Sequence, residues 1–136
     1  MLVKEIMHNI TKLSFDTTIS EAAELMDQKS IGSVLIEEDN KIIGIMTERD
    51  ILRKIVAKGV NPDELRVKDV MNYPLITIDV NEHILEASKK LDKHNIRRLI
   101  ITEKGEIVGK VTANSIARNL KYILASKSPI YTRPEY

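Results

Sequence analysis

The residues best suited to chemistry in this sequence lie in a short stretch, GIMTERDI, that runs from Gly44 to Ile51. Gly44 allows another group to approach the backbone closely, and Thr47 offers a hydroxyl where a strand gives way to a helix. Asp50 lies in the first turn of that helix, where a carboxylate can accept hydrogen bonds from both hydroxyls of a ribose. The same residues also suit a structural role, with Thr47 as a helix cap and Asp50 as a favourable charge on the helix dipole.

A second copy of this stretch, GKVTANSI, begins at Gly109 and keeps the glycine, threonine and isoleucine but replaces the aspartate with Ser115. The second copy is preceded by Arg97 and Arg98, where the first has Gly32 and Ser33. Arginine side chains have the shape and charge to bind phosphate oxygens. Adjacent side chains of a strand point to opposite faces, so one of the two arginines is better placed than the other. The alternative is a strand start whose charges are only solvated.

These two stretches belong to an internal repeat. A shift of 65 residues aligns 19–54 with 84–119 without a gap, and 12 of the 36 positions are identical. VKEIM at Val3–Met7 also matches VKDVM at Val67–Met71. We therefore divide the chain into repeat 1 (1–62), repeat 2 (63–125) and a flexible tail (126–136), in which Ile130 and Tyr131 could dock on a neighbour.

The sequence of each repeat predicts secondary-structure elements in the order β-α-β-β-α. The predicted fold class is therefore α/β, of the mixed α+β kind. The apolar runs on either side of Asp39-Asn40 and of Lys104-Gly105 predict hairpins. ERDILRKIVAKG predicts a helix that ends at Gly59 and presents Ile51, Leu52, Ile55 and Val56 on one face. A sheet in so small a unit keeps an apolar face uncovered, so we expect the two repeats to pack sheet to sheet about a pseudo-twofold axis.

Composition narrows the functional class. The chain of 136 residues has no cysteine and a net charge of +1. We expect a cytoplasmic protein with no membrane span, and nucleic-acid binding is disfavoured because a marked basic excess and stacking aromatics are missing. The charge is uneven: residues 1–64 carry 8 basic and 12 acidic residues, whereas 65–136 carry 13 and 8. The basic second half could bind an anionic ligand or an acidic partner face, or the difference could be drift among solvated residues. The histidines, His8, His83 and His94, are not at metal-ligand spacing, and no catalytic triad is recognisable, so we expect neither a metal site nor an enzyme.

The duplicated lead-ins, the segments SIGSVLI and NIRRLII, and above all GIMTERDI and GKVTANSI resemble a tandem pair of CBS domains, the Bateman module, over about residues 1–125. The resemblance implies a ligand pocket formed by both repeats. Carried over to this sequence, one pocket would have apolar residues around an adenine, Asp50 on the ribose and an arginine on phosphate; its residues are Ile45, Thr47, Asp50, Leu75, Ile76, Ile96, Arg97 and Arg98. A second, weaker pocket would lack the carboxylate and the arginines; its residues are Lys12, Leu13, Ile31, Gly32, Ser33, Thr112 and Ser115.

Two functions follow as hypotheses. The first is a regulatory module that binds an adenine nucleotide (AMP, ADP or ATP) as ligand, with no catalytic cofactor, and relays this to an unknown effector protein. The second is a structural or dimerisation module whose nucleotide pocket is vestigial. The resemblance also implies a homodimer formed through helices, and the opposite charges of the two halves favour an antiparallel one.

Overall fold

The computed structural model describes residues 1–127, without the side chains of four residues near the end of the last helix. Residues 128–136, which include most of the predicted tail with Ile130 and Tyr131, lie outside the described residues. The strands are β1 (Lys12–Ser14), β2 (Ser33–Glu38), β3 (Lys41–Thr47), β4 (Thr77–Asp79), β5 (Arg98–Glu103) and β6 (Glu106–Thr112). The α-helices are α1 (Ile19–Lys29), α2 (Glu48–Ile51), α3 (Val67–Val70), α4 (Ile84–His94), α5 (Ala113–Arg118) and α6 (Leu120–Lys127). A 3₁₀ turn covers Val3–Glu5, and a π-helix covers Leu52–Val56.

Each repeat forms a three-stranded sheet with the predicted mixed topology. The strand orders are β1-β2-β3 and β4-β5-β6, in which the first pair is parallel and the second antiparallel. Both predicted hairpins are present, and their turn residues have positive φ angles of 52° at Asp39, 63° at Asn40, 51° at Lys104 and 82° at Gly105. These angles belong to the turn class that matches the twist of paired strands. The mixed α+β class predicted from the sequence is confirmed.

The chain folds into two compact units whose limits differ from those of the sequence repeats. The first unit is Ile10–Leu75, and the second combines Met1–Asn9 with the residues from Ile76 onward. The lead-in of repeat 1 therefore packs in the second unit, and that of repeat 2 packs in the first. Val3 is fully buried in the core of the second unit, and Val67 is fully buried in the core of the first. Burying a valine side chain contributes about 1.5–3 kcal/mol, so these exchanges help to hold each unit together.

One face of each sheet is covered by the helices of its own unit. In the second unit, Leu99, Ile101 and Val111 pack with Leu91 of α4 and Ile116 of α5. Because side chains alternate along a strand, the residues between them lie on the opposite face. We call this opposite face the far face: it carries Arg98, Ile100, Lys110 and Thr112 in the second unit and Ser33, Leu35, Ile45 and Thr47 in the first.

The helix predicted after Thr47 differs from expectation. Four residues of α2 are followed by the π-helix, which widens the turn and changes which side chains face inward. Of the four apolar residues predicted on one face, Ile55 is buried, but Leu52 and Val56 are 59% and 65% exposed. The predicted stop at Gly59 is correct, since its φ angle is +66°. The corresponding helix of repeat 2 is interrupted at Asn119, between α5 and α6.

Gly44 in β3 and Gly109 in β6 allow the lead-in segments to lie directly on the sheets. A Cβ atom on Gly44 would come within 2.5 Å of the Met71 sulfur and 3.0 Å of the Asn72 carbonyl oxygen. A Cβ atom on Gly109 would come within 2.9 Å of the His8 carbonyl oxygen. Backbone hydrogen bonds pair the lead-ins with the strands, at Ile45–Asn72 in the first unit and at His8–Lys110 in the second. The two glycines are needed because no side chain fits beneath these segments.

We expect Gly44→Ala to lower the free energy of unfolding by about 1–3 kcal/mol, because the methyl group would overpack the contact with Met71 and Asn72. Urea unfolding followed by circular dichroism measures this change. Lys41→Ala, at an exposed position of the same strand, is the control and should stay within about 0.5 kcal/mol of the unmodified chain. Equal stability of the two variants would contradict the close approach described here.

Candidate functional site

The turn from β3 into α2 is built by reciprocal hydrogen bonds between Thr47 and Asp50. The Thr47 hydroxyl accepts from the Asp50 backbone N–H at 3.3 Å. Oδ2 of Asp50 accepts from the Thr47 backbone N–H at 2.8 Å and from the Thr47 hydroxyl at 3.0 Å. This is a capping box, so the structural role foreseen for both residues is present.

Asp50 is also held by two residues that the sequence analysis did not select. The side-chain amide of Asn72 donates to Oδ2 of Asp50 at 2.8 Å. The Lys54 ammonium lies 3.4 Å from Oδ1 and donates to the Val70 carbonyl at 2.8 Å and to the Asn72 side-chain oxygen at 3.2 Å. The residue Asp50 is only 9% exposed, and burial of a charge requires such donors. Oδ2 is thus fully engaged, whereas Oδ1 contacts a flexible ammonium group that is itself partly in solvent.

The equivalent turn in the second unit has the same construction with neutral groups. The Thr112 hydroxyl accepts from the Ser115 N–H at 3.0 Å, and the two hydroxyl oxygens are 2.8 Å apart. Nε2 of His8 lies 2.6 Å from Oγ of Ser115, and the amide of Asn119 donates to the Ser115 carbonyl at 2.8 Å. His8 and Asn119 therefore take the places of Asn72 and Lys54. Repeating the VKEIM and VKDVM alignment one residue further, to His8 and Asn72, would have found this pair in the sequence.

The two arginines differ as the strand geometry predicts. Arg97 is exposed, and its carbonyl accepts from the Ala113 N–H at 2.8 Å. Arg98 is half-buried at the start of β5, opposite Thr112 in the strand register, and lies on the far face. Lys110 is on the same face, and its pKa is lowered by burial and by the neighbouring Arg98 guanidinium. Arg98 is the better placed of the two arginines, and Lys110 is a second cation that the sequence analysis missed.

The apolar residues of the two predicted sets are all partly buried. Ile45 and Leu75 are half-buried in the first unit, and Ile76 and Ile96 pack against the core of the second. In the weaker set, Leu13 and Ile31 pack against the core of the first unit, whereas Lys12 is exposed and paired with Glu37 at 3.4 Å.

The strand register also shows that the two predicted sets do not use equivalent positions of their first strands. Lys12 pairs with Leu35 and Thr77 pairs with Ile100, so Thr77 is the counterpart of Lys12. Leu75 and Ile76 therefore precede the position that Lys12 occupies in its own sheet.

Within residues 1–127, no group of three or more His, Asp or Glu side chains is arranged to hold a metal ion. None of the helices described in this range is long and apolar enough to cross a bilayer.

The family model and the sequence relatives that match this chain indicate the same protein family. The model of the CBS domain matches this chain twice, at residues 3–57 and 67–122. An uncharacterized protein of Methanopyrus kandleri is 40% identical over 111 residues, which are 80% of this chain and 57% of that protein, so the chain spans little more than half of that relative. The CBS domain-containing protein YhcV of Bacillus subtilis is 33% identical over 118 residues, 86% of this chain and 84% of the relative.

Solved structures agree with the sequence relatives. An uncharacterized conserved protein from Pyrococcus horikoshii superposes with a TM-score of 0.79 at 28% identity and covers 97% of this chain and 96% of its own. Hypoxic Response Protein I, solved with two coordinated zinc ions, superposes with a TM-score of 0.71 at 29% identity. The match covers 87% of this chain and 98% of the other. Because the family model matches most of the chain in two copies and the order of elements agrees, this chain belongs to the CBS domain family as a tandem pair.

Proposed function

We propose that this protein is a regulatory module that senses an adenosine-containing nucleotide of the AMP, ADP or ATP class and relays its binding to a partner protein. The observation that carries the proposal is the difference between the two equivalent strand-to-helix turns. The turn at Thr47 keeps a carboxylate, at Asp50, whereas the turn at Thr112 has a serine. Capping the helix does not require a carboxylate, because hydroxyl groups close the equivalent serine turn. The carboxylate of Asp50 is therefore available for a ligand.

The proposed ribose contact uses Oδ1 of Asp50. Three donors hold Oδ2 and fix the orientation of the carboxylate, whereas Oδ1 lies 3.4 Å from the Lys54 ammonium. Lysine side chains change rotamer at little cost, and the ammonium of Lys54 keeps its bond to the Val70 carbonyl if it leaves the carboxylate. Ribose hydroxyls would then take its place.

The phosphate end of the ligand is assigned to the second repeat. Arg98 is half-buried on the far face and close enough to Lys110 to lower the pKa of that lysine. A guanidinium in this setting can donate two parallel hydrogen bonds to phosphate oxygens. We propose that the ligand-binding residues are those assigned from the sequence: Ile45, Thr47, Asp50, Leu75, Ile76, Ile96 and Arg98. Arg97 has the lesser role, because it is exposed.

A structural module with a vestigial pocket is the second candidate. Its support is that Thr47 and Asp50 already form a complete capping box without any ligand. A nucleotide-dependent rise in the melting temperature separates the two functions, because a ligand that binds only the folded state must stabilise it. A panel of AMP, ADP, ATP, NAD and S-adenosylmethionine would identify the ligand, and no shift with any of them would favour the structural function.

We expect one tight nucleotide per chain by calorimetry, and we expect Asp50→Ala to weaken binding by tenfold or more because it removes charge-assisted hydrogen bonds to the ribose. Ser115→Ala is the matched control at the equivalent position and should leave the dissociation constant nearly unchanged. Both variants lose a capping contact, so their melting temperatures without ligand must be compared first. Two equivalent sites per chain, or equal losses in the two variants, would contradict the one-site assignment.

Arg98→Ala should weaken nucleotides in order of their phosphate number, ATP most and AMP least, and should leave adenosine unaffected, because its contact lies beyond the ribose. Titrations of ATP, ADP, AMP and adenosine against the variant measure this order. Arg97→Ala is the control on the adjacent, exposed side chain. A loss of adenosine affinity in Arg98→Ala would show that the arginine acts on the fold or on the nucleoside.

A homodimer through helices is the third part of the proposal. The first unit has an apolar groove of about 390 Å³, lined by Ile19, Ser20, Ala23, Ile51, Ile55, Val56, Gly59, Val60 and Pro62. Val56, which lines the groove, and the nearby Leu52 are both exposed on the π-helix. Contiguous exposed apolar surface of this kind is typical of protein–protein contacts.

We expect the unmodified chain to be a dimer at micromolar concentration and Val56→Asp to be a monomer, because the variant places a charge in the apolar contact. Light scattering after size-exclusion chromatography measures both masses. Lys41→Asp, a charge change at an exposed position of the hairpin, should remain dimeric. A monomeric unmodified chain would refute this part of the proposal.

A further inference from the structure

Lys54 of the first unit joins three segments that are separate in the sequence. Its ammonium lies 3.4 Å from Oδ1 of Asp50 and donates to the Val70 carbonyl at 2.8 Å and to the Asn72 side-chain oxygen at 3.2 Å. Asp50 belongs to the capping turn, Val70 ends α3, and Asn72 pairs with β3 through its backbone. An ammonium group has three N–H donors, so these three acceptors match the donors that it offers.

The second unit has a neutral residue at the equivalent position. Asn119 lies four residues after Ser115, as Lys54 lies four residues after Asp50. The Asn119 amide donates to the backbone carbonyl of Ser115 at 2.8 Å and so binds the main chain of its own helical turn. The ammonium therefore occurs in the unit that has the carboxylate, and both groups are replaced together in the other unit.

The ammonium compensates the charge of Asp50 when no ligand is bound. Asp50 is only 9% exposed, and a carboxylate in such a place needs donors for its oxygens. Oδ2 has three donors, and the ammonium of Lys54 serves Oδ1. Oδ1 is also the oxygen that we assign to the ribose hydroxyls. The ammonium and the ribose thus compete for one oxygen atom.

We propose that Lys54 is an internal competitor of the ligand and sets the affinity of the nucleotide site. The inference rests on the proposed contact between the ribose and Asp50. A ligand binds more weakly in proportion to the fraction of the protein whose site is already occupied. Lys54 therefore stabilises the ligand-free protein and weakens binding. Its bonds to Val70 and Asn72 keep the displaced ammonium near the site, so that it returns when the ligand leaves.

Lys54→Met with adenosine as the ligand tests the competition, because adenosine is uncharged and does not respond to the loss of a distant positive charge. Methionine keeps an unbranched side chain of similar helix propensity. We expect adenosine to bind about two- to fivefold more tightly by calorimetry, since ion pairs that are partly exposed are weak. Unchanged or weaker binding would overturn the proposal.

The melting temperature of the ligand-free variant separates competition from a structural role. We expect it to fall in Lys54→Met, because the bonds to Asp50, Val70 and Asn72 are lost. A purely structural lysine would lower the melting temperature without raising the affinity for adenosine. Lys58→Met, the same change at an exposed position beyond the π-helix, is the matched control and should leave both quantities unchanged. Equal tightening in the two variants would contradict a specific role of Lys54.

Salt gives a second readout that depends on the ion pair. The Lys54 side chain is 42% exposed, so dissolved ions can screen its attraction to Asp50. Raising the salt concentration from about 0.05 to about 0.5 M should therefore tighten adenosine binding to the unmodified chain more than to Lys54→Met. The variant serves as the baseline because it also reports the effect of salt on the burial of adenine. Identical salt dependence in the two proteins would contradict the competition.

Lys54→Arg restores the charge and completes the series. The guanidinium can still donate to Oδ1 of Asp50, so adenosine should bind as in the unmodified chain or more weakly. If Lys54→Arg tightens binding as much as Lys54→Met does, the positive charge is not the cause and the proposal fails.

The same titrations distinguish this inference from the proposed function. If adenosine and the nucleotides bind the unmodified chain but Lys54→Met brings no gain, the nucleotide function stands and the competition is refuted. If neither protein binds adenosine or any nucleotide, the proposed function fails and the competition fails with it. Binding that is detectable only in Lys54→Met would support both.

Discussion

The contact on which this structure depends is the close approach of each lead-in segment to a strand that has glycine beneath it. At Gly44 and Gly109 the absence of a side chain lets the backbone of Asn72 or His8 pair with the strand. That pairing places the side chain of the same residue on the first turn of the next helix, 2.8 Å from Asp50 in one unit and 2.6 Å from Ser115 in the other. One backbone contact therefore fixes both the packing of the unit and the chemistry of its turn.

The two units show how a duplicated scaffold can carry different chemistry. Threonine, glycine and the backbone bonds of the lead-in are common to both, and they define where side chains lie. The residues that differ, Asp50 and Lys54 against Ser115 and Asn119, determine charge. The capping function tolerates either set because a hydroxyl and a carboxylate can both accept from the same backbone N–H groups. The charge of the turn can therefore differ between the two units, and adapt to a ligand, without loss of the helix cap.

The fold was largely predictable from the sequence, because the repeat shows every element twice and each copy supports the other. The hairpins at Asp39-Asn40 and Lys104-Gly105 and the end at Gly59 followed from local turn chemistry. The π-helix was not predictable, since the periodicity of LRKIV does not distinguish it from an α-helix. Asn72 and His8 were missed at the site although the alignment of the two lead-ins, extended by one residue, would have paired them. Lys54 was missed although it lies four residues after Asp50. Lys110 could not be found in this way, because its role depends on strand register.

The exchange of lead-in segments also has a consequence for the order in which the chain folds. The first unit is continuous, so all of its core residues are present once Leu75 has left the ribosome. The core of the second unit includes Val3, which must close a loop of more than 70 residues to donate its backbone hydrogen bond to the Glu82 carbonyl. Loop closure of this length is entropically unfavourable and slows the contacts that depend on it. During synthesis, the core residues of the first unit are therefore all available before Val3 can pack with Leu99, Val111 and Ile116 in the core of the second.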